Sequence, residues 1–186
     1  NNRGVGKLVS SSLKSQALVV VECCCISSGK QEIMLCGKYQ IEIWEYGERS
    51  CHLLTTLHIE KMDHSVWFSQ CIVSSDNQLL VCCIANTILV YRRNALDINS
   101  SKRVLLGHLG KIEFCRFLKE NRYLISYGID GMVFLWDIIE FKAVGFARIP
   151  LDTVCMAVSP DEEKAVCYST DLICVVKLCE LKSPSH

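Results

Sequence analysis

Three side chains in the second half of the chain are of the types that carry proton transfer and nucleophilic attack: His108, Ser126 and Asp130. An imidazole base, a hydroxyl and an orienting carboxylate are the parts of a hydrolytic triad. Ser126, however, lies in Leu124-Ile125-Ser126-Tyr127-Gly128, which is not the G-x-S-x-G surround of a strained nucleophile elbow. The same groups have a second use. Together with the indole N–H of Trp136 they can form one chain of hydrogen bonds. His108 precedes Ser126 by 18 residues, Asp130 follows four later, and Trp136 six after that. A chain of that kind would be structural, and no catalytic residue is expected.

Thirteen cysteines invite a disulfide or metal reading. Their spacing argues against both. There is no CxxC, and Cys23, Cys24 and Cys25 are consecutive, as are Cys82 and Cys83. Neighbours on a strand point to opposite faces. Zinc modules use paired ligands two to four residues apart on turns that close around the ion. Cys174 and Cys179 come nearest, with His186 in a loose tail. An odd count leaves at least one thiol unpaired. Most of these residues sit among Val, Ile and Leu, where free Cys behaves as a small hydrophobe. The expectation is buried, reduced thiols, a cytoplasmic address with the nucleus as alternative, and no metal or other cofactor. Cys115, beside Arg116, is the one candidate for an activated thiol, and strand alternation separates the two side chains.

The wider composition excludes several classes. Half of the 186 residues are hydrophobic, which a disordered chain does not carry. Twenty Lys+Arg balance twenty Asp+Glu, so bulk nucleic acid or an anionic membrane is not the expected partner. Arg92-Arg93, Ser101-Lys102-Arg103 and Lys111 make a mild basic stretch, but only Tyr91 is near enough to stack a base. No apolar run reaches the ~18 residues of a membrane helix; Ala17–Ile26 is the longest candidate. Gly4-Val5-Gly6-Lys7 lacks the four-residue gap of a phosphate-binding loop, and Leu8 stands where Ser or Thr should follow. No small-molecule substrate is implied.

The elements that must hold these side chains are strands. Apolar segments of five to nine residues follow one another, and none has long helical spacing. They run Ala17–Ile26, Glu32–Cys36, Gln40–Glu45 and Cys51–His58, then Val66–Val73, Gln78–Ile84, Thr87–Arg92 and Arg103–Leu106. Next come Ile112–Leu118, Tyr123–Tyr127, Met132–Ile138 and Ala143–Ile149, and last Thr153–Val158, Lys164–Tyr168 and Ile173–Cys179. Every third strand of four ends in a bulky residue and a polar one: Trp44-Glu45, Tyr91-Arg92, Trp136-Asp137, and a degraded Val176-Lys177. The spacings are 47, 45 and 40 residues. Units of that size with four short antiparallel strands have the dimensions of propeller blades.

The third unit carries Gly107-His108, Ile112–Phe117, Leu124–Gly131 and Phe134-Leu135-Trp136-Asp137. It resembles a WD40 repeat throughout, from the Gly-His opening to the Trp-Asp close. The resemblance implies an all-β propeller segment of about four four-stranded antiparallel blades. These would belong to a larger seven- or eight-bladed ring, so the chain reads as a fragment of a longer protein. The blades would be 17–62, 63–106, 107–150 and a partial 151–181, with a lead-in or the end of a preceding blade at 1–16 and a tail at 182–186. It also implies the bond order of the tetrad: Asp130 to His108, His108 to Ser126, Ser126 to Trp136. Counting back from the third-strand residue puts Lys38 and Met34 at the Asp and Ser positions of the first unit. The same count puts Ala85 and Val81 there in the second. In the fourth, Asp171 fits the turn, and the Trp position falls on Val176 or Lys177. The implied function is a non-enzymatic platform for a protein or peptide, besides contacts with the remaining blades. Lys111, Glu113 and Ile129 are the candidate partner-binding residues. The alternative is the sensor portion of a multidomain enzyme whose NACHT-, kinase- or ubiquitin-ligase-type domain lies upstream.

Overall fold

The computed structural model describes residues 20–27, 29–37, 40–48, 50–59 and 68–181. The proposed lead-in, the Gly4–Lys7 segment, Lys38 and the tail lie outside them. The described residues form fifteen strands in four antiparallel meanders. The first sheet is β1 (Val21–Ile26), β2 (Glu32–Gly37), β3 (Gln40–Tyr46) and β4 (Cys51–His58). The second is β5 (Phe68–Val73), β6 (Leu79–Ile84), β7 (Thr87–Arg92) and β8 (Arg103–Leu106). The third is β9 (Ile112–Leu118), β10 (Tyr123–Gly128), β11 (Met132–Asp137) and β12 (Lys142–Arg148). The fourth is β13 (Thr153–Val158), β14 (Lys164–Ser169) and β15 (Ile173–Lys177). Short 3₁₀ turns at Asn99–Ser101 and Leu178–Glu180 are the only helical elements among the described residues. None of them is long and apolar enough to cross a membrane.

The fourth sheet has three strands among the described residues. The segment after Lys177, expected to stay extended through Cys179, turns instead. That turn buries Leu178 and sets Leu181 against Gly145 of the third sheet.

Alternation explains how the sheets stack. Strand side chains point to opposite faces in turn, so an inner sheet must be apolar on both faces. β6 reads Leu-Leu-Val-Cys-Cys-Ile: Leu80 and Cys82 enter one core with the first sheet, Val81 and Cys83 another with the third. The third sheet repeats this, with Leu124 and Trp136 towards the second sheet and Ile125 and Tyr127 towards the fourth. β1 lies beside β5 and β5 beside β9, so first strands gather at one edge of the array. The result is an open series of blade-like sheets, consistent with a propeller-like fold and not closed into a ring. The outer face of the fourth sheet is bare and apolar. It presents the cross-strand pairs Val166–Val175 and Tyr168–Ile173, all exposed.

Two regularities were hidden in the sequence. Each first strand is bulged near its start, at Glu22, Ser69, Glu113 and Val154, each doubled against one partner residue. A bulge there bends each first strand in the same way. The turns after β5 and β13 are also built alike. Ser74 and Ser159 bond the carboxylates of Asp76 and Asp161, which in turn accept from the backbone N–H of Gln78 and Glu163.

The register corrects the counting-back assignments. Trp44, Tyr91, Trp136 and Val176 are equivalent, paired with Ile33, Leu80, Leu124 and Ala165. This settles the fourth unit on Val176, not Lys177. The hairpin joining second and third strands, however, is one residue longer in the third sheet. Tyr127 pairs with Val133, whereas Cys36 pairs with Ile41, Cys83 with Ile88 and Tyr168 with Ile173. Counting ten back from Trp44 and Tyr91 therefore overshoots. The residues at the Ser126 position are Leu35, Cys82 and Cys167, not Met34 or Val81. The β6–β7 turn is one residue shorter than the turn that carries Asp130, so the count that put Ala85 at the Asp position does not hold.

Candidate functional site

Four side chains from four places in the third blade meet in its interior. His108 comes from the loop before β9, Ser126 from β10, Asp130 from the turn, and Trp136 from β11. The Trp136 indole N–H donates to Ser126 Oγ at 2.8 Å. Ser126 Oγ lies 2.8 Å from His108 Nε2. His108 Nδ1 lies 3.2 and 3.1 Å from the two Asp130 carboxylate oxygens. Asp130 also accepts from the backbone N–H of Leu109 at 2.7 Å and of Met132 at 3.1 Å. One assignment satisfies every atom. Nδ1–H of a neutral His108 donates to Asp130, and the Ser126 hydroxyl donates to Nε2 while accepting from the indole.

Burial and electrostatics support the neutral ring. His108, Ser126 and Trp136 are buried, Ser126 with 0% of its surface exposed. Burial pushes the His108 pKa down from 6.5, more than the neighbouring Asp130 charge raises it. Burial pushes the Asp130 carboxyl up, but the N–H groups of Leu109 and Met132 and the His108 ring outweigh it. They hold the carboxyl below its ordinary 3.8. Phe134 packs edge-on against the imidazole, with centroids 4.8 Å apart.

The surroundings leave little slack. A Cβ on Gly128 would stand 2.7 Å from His108 Nδ1 and 2.9 Å from an Asp130 oxygen, so only glycine lets the strand pass. Gly131 holds φ +70°, which brings the Asp130 turn round into β11. Asp137 closes the other end of the strand. Its carboxylate accepts from the N–H of Ile139 at 2.8 Å and of Glu140 at 3.0 Å, and faces Arg122 at 3.3 Å. The wiring of His108 to Ser126 and Asp130 is that of a triad, but the serine oxygen is sealed and already engaged by an indole. As it stands, the arrangement can fix a packing, and nucleophilic attack would require unpacking the blade.

The structure also draws together Lys111, Glu113 and Ile129. Lys111 Nζ pairs with Glu113 Oε1 at 2.8 Å, and the Ile129 N–H donates to the Lys111 carbonyl at 2.9 Å. All three are exposed on the rim above the tetrad. Sequence reasoning missed their apolar neighbours. Leu109 is 91% and Leu151 72% exposed, with Leu151 lying over Gly131 and Ile129 over Gly110. The available signal was Leu109 itself, a large apolar residue between Gly107 and Gly110 in a polar loop.

The other candidate residues find structural uses. The Arg93 guanidinium bonds Glu32 and Asn77, tying the second sheet to the first. Arg103 lies over the Phe141 ring at 5.9 Å. Cys115 is buried and Arg116 exposed, as alternation requires. Burial, reinforced by Cys83, pushes the Cys115 thiol well above its ordinary value, the opposite of activation. All thirteen cysteines are free. The expectation of buried thiols holds for six of them; Cys24, Cys155 and Cys179 are exposed. No protein-family model matches the chain.

Proposed function

We propose that this chain is a WD40-type propeller segment acting as a non-catalytic platform for a protein or peptide partner in a reducing, cytoplasmic compartment. The observation that carries this reading is the rim of the third blade. Leu109, Ile129 and Leu151 are exposed together and flanked by the Lys111–Glu113 ion pair. An apolar centre beside a charged edge has the anatomy of a protein-binding patch. The tetrad beneath supports the reading, because it fixes the loops that display these residues. Free thiols throughout agree with the compartment. The enzyme reading draws no comparable support, since Ser126 is sealed.

Photo-crosslinking in the cells that express the parent protein tests the proposal. A crosslinking amino acid at Leu109 or Ile129 should yield a discrete adduct. The same group at Glu163, at the turn following β13, should not. Leu109→Glu should abolish the Ile129 adduct while leaving the unfolding midpoint within about 0.5 kcal/mol of the parent, as expected for an exposed site. Equal adducts from both ends, or none from either, would overturn the platform.

A further inference from the structure

The sulfur atoms are not spread evenly through the fold. Cys36 on β2, Cys71 on β5 and Cys82 on β6 place all three Sγ atoms within 4.8 Å of one another. They are buried at 0%, 4% and 0% exposure in the core between the first and second sheets. Cys71 and Cys82 are 3.8 Å apart, and Cys25 of β1 reaches to 3.4 Å from Cys71. Cys23 packs against the same core. Five thiols from four strands thus share one core, which also holds Met34, Ile41, Leu80 and Tyr91. Spacing along the chain cannot disclose such a site, because its members come from different strands and different blades.

We propose that Cys36, Cys71 and Cys82 form a three-sulfur site for copper(I). Metal–sulfur bonds of about 2.3 Å put three in-plane sulfurs ~4 Å apart. The Cys71–Cys82 separation of 3.8 Å already meets that figure, and Cys36 needs only a small adjustment. An all-thiol donor set selects soft metals, copper(I) and zinc foremost among single ions. Structural zinc takes four ligands in a tetrahedron. The mutually close set here is three, which suits copper(I). All three ligating thiols lose their protons to solvent as the ion arrives. That leaves two negative charges on the copper(I) site, spread over polarisable sulfur, with the Cys25 and Cys23 S–H groups placed to donate to it. The ion arrives as copper(I), so no electron is transferred. Because Cys36 belongs to the first sheet and the other two to the second, the ion would pin the two blades together.

The test uses the full chain with its exposed thiols removed by Cys24→Ser, Cys155→Ser and Cys179→Ser. Reduced, chelator-stripped protein is titrated anaerobically with copper(I) against a coloured copper(I) chelator, and in parallel with zinc. The expected result is one retained copper(I), a near-ultraviolet sulfur-to-copper band and a higher unfolding temperature. X-ray absorption should count three sulfurs. Cys71→Ala should weaken retention tenfold or more, while Cys115→Ala, in the neighbouring core, leaves it unchanged. If Cys71→Ala does not fold, the copper-dependent rise in unfolding temperature and the sulfur count decide. No retention, retention unaffected by Cys71→Ala, or zinc bound by four sulfurs in preference to copper would overturn the proposal.

Discussion

The third blade and the junction between the first two present the same backbone filled in opposite ways. In the third blade the residue below the Trp pair is Ser126, and a polar chain runs from there to Asp130. In the second the same position is Cys82, set among thiols and aliphatic side chains. The first blade keeps its tryptophan but not the serine. The Trp44 indole donates at 2.9 Å to the buried carboxylate of Glu42, two residues back on its own strand. One residue of hairpin length separates these solutions. The longer turn of the third sheet seats Asp130 where it can accept from His108. A buried polar chain is worth building only when every member is satisfied, and otherwise an apolar filling is the safer choice.

That contrast can be broken most severely at Trp136. Trp136→Ala removes a large buried ring and strips Ser126 of its donor, so a loss of about 3–5 kcal/mol is expected from chemical denaturation. Val176→Ala, at the equivalent place in the fourth blade, should cost far less, since it removes no hydrogen bond and less volume. A comparable loss at both would mean that the polar chain adds nothing to packing.

Asp130→Ala comes next. It leaves the His108 N–H and two backbone N–H groups without their acceptor, for about 1–3 kcal/mol. Glu120→Ala, on an exposed turn, should stay within about 0.5 kcal/mol. His108→Ala and Asp130→Ala should be non-additive, because both remove one bond. Additive losses in the double-mutant cycle would dissolve the tetrad into separate contacts.

Acid should sharpen the contrast more gently. The folded pKa of His108 lies below its unfolded 6.5, so the unfolded chain binds more protons in the window beneath that value. The stability contributed by the neutral ring is present above pH 6.5 and declines as pH falls through the folded pKa. Asp130, also depressed, adds a second loss below 3.8. Unfolding midpoints followed from pH 7.5 downwards should fall for the parent, and more shallowly for His108→Ala just below pH 6.5. Parallel curves would show that His108 is not held neutral by burial.

The strands were legible because their signals are local. Short apolar runs marked β6 and β10, and Asn, Asp, Gly and Ser clusters marked the turns. The tetrad was legible for a similar reason, since its members lie within one blade at fixed distances. Hairpin length was not, because a one-residue deletion leaves both strands looking the same while shifting every count made across it. That is how Met34 and Val81 came to stand in for Leu35 and Cys82. The sulfur cluster was invisible for a stronger reason. Cys36 and Cys82 are brought together by the stacking of two sheets, and no local pattern records which sheets stack.

The meander order of each sheet has a consequence for how the molecule opens. Every strand pairs with its neighbour in sequence, so a sheet can form from short-range hairpins alone. Side-chain packing and a few hydrogen bonds, such as Arg93 to Glu32 and the Ile112 N–H to the Ala85 carbonyl, couple one sheet to the next, which makes the array behave as a row of units with nearest-neighbour terms. Interior sheets have two such couplings and end sheets one. Amide hydrogen exchange should therefore be graded along the row. The amides of β14, with Val166 and Tyr168 facing solvent, should exchange through local opening while those of β6 and β10 wait for unfolding of the whole.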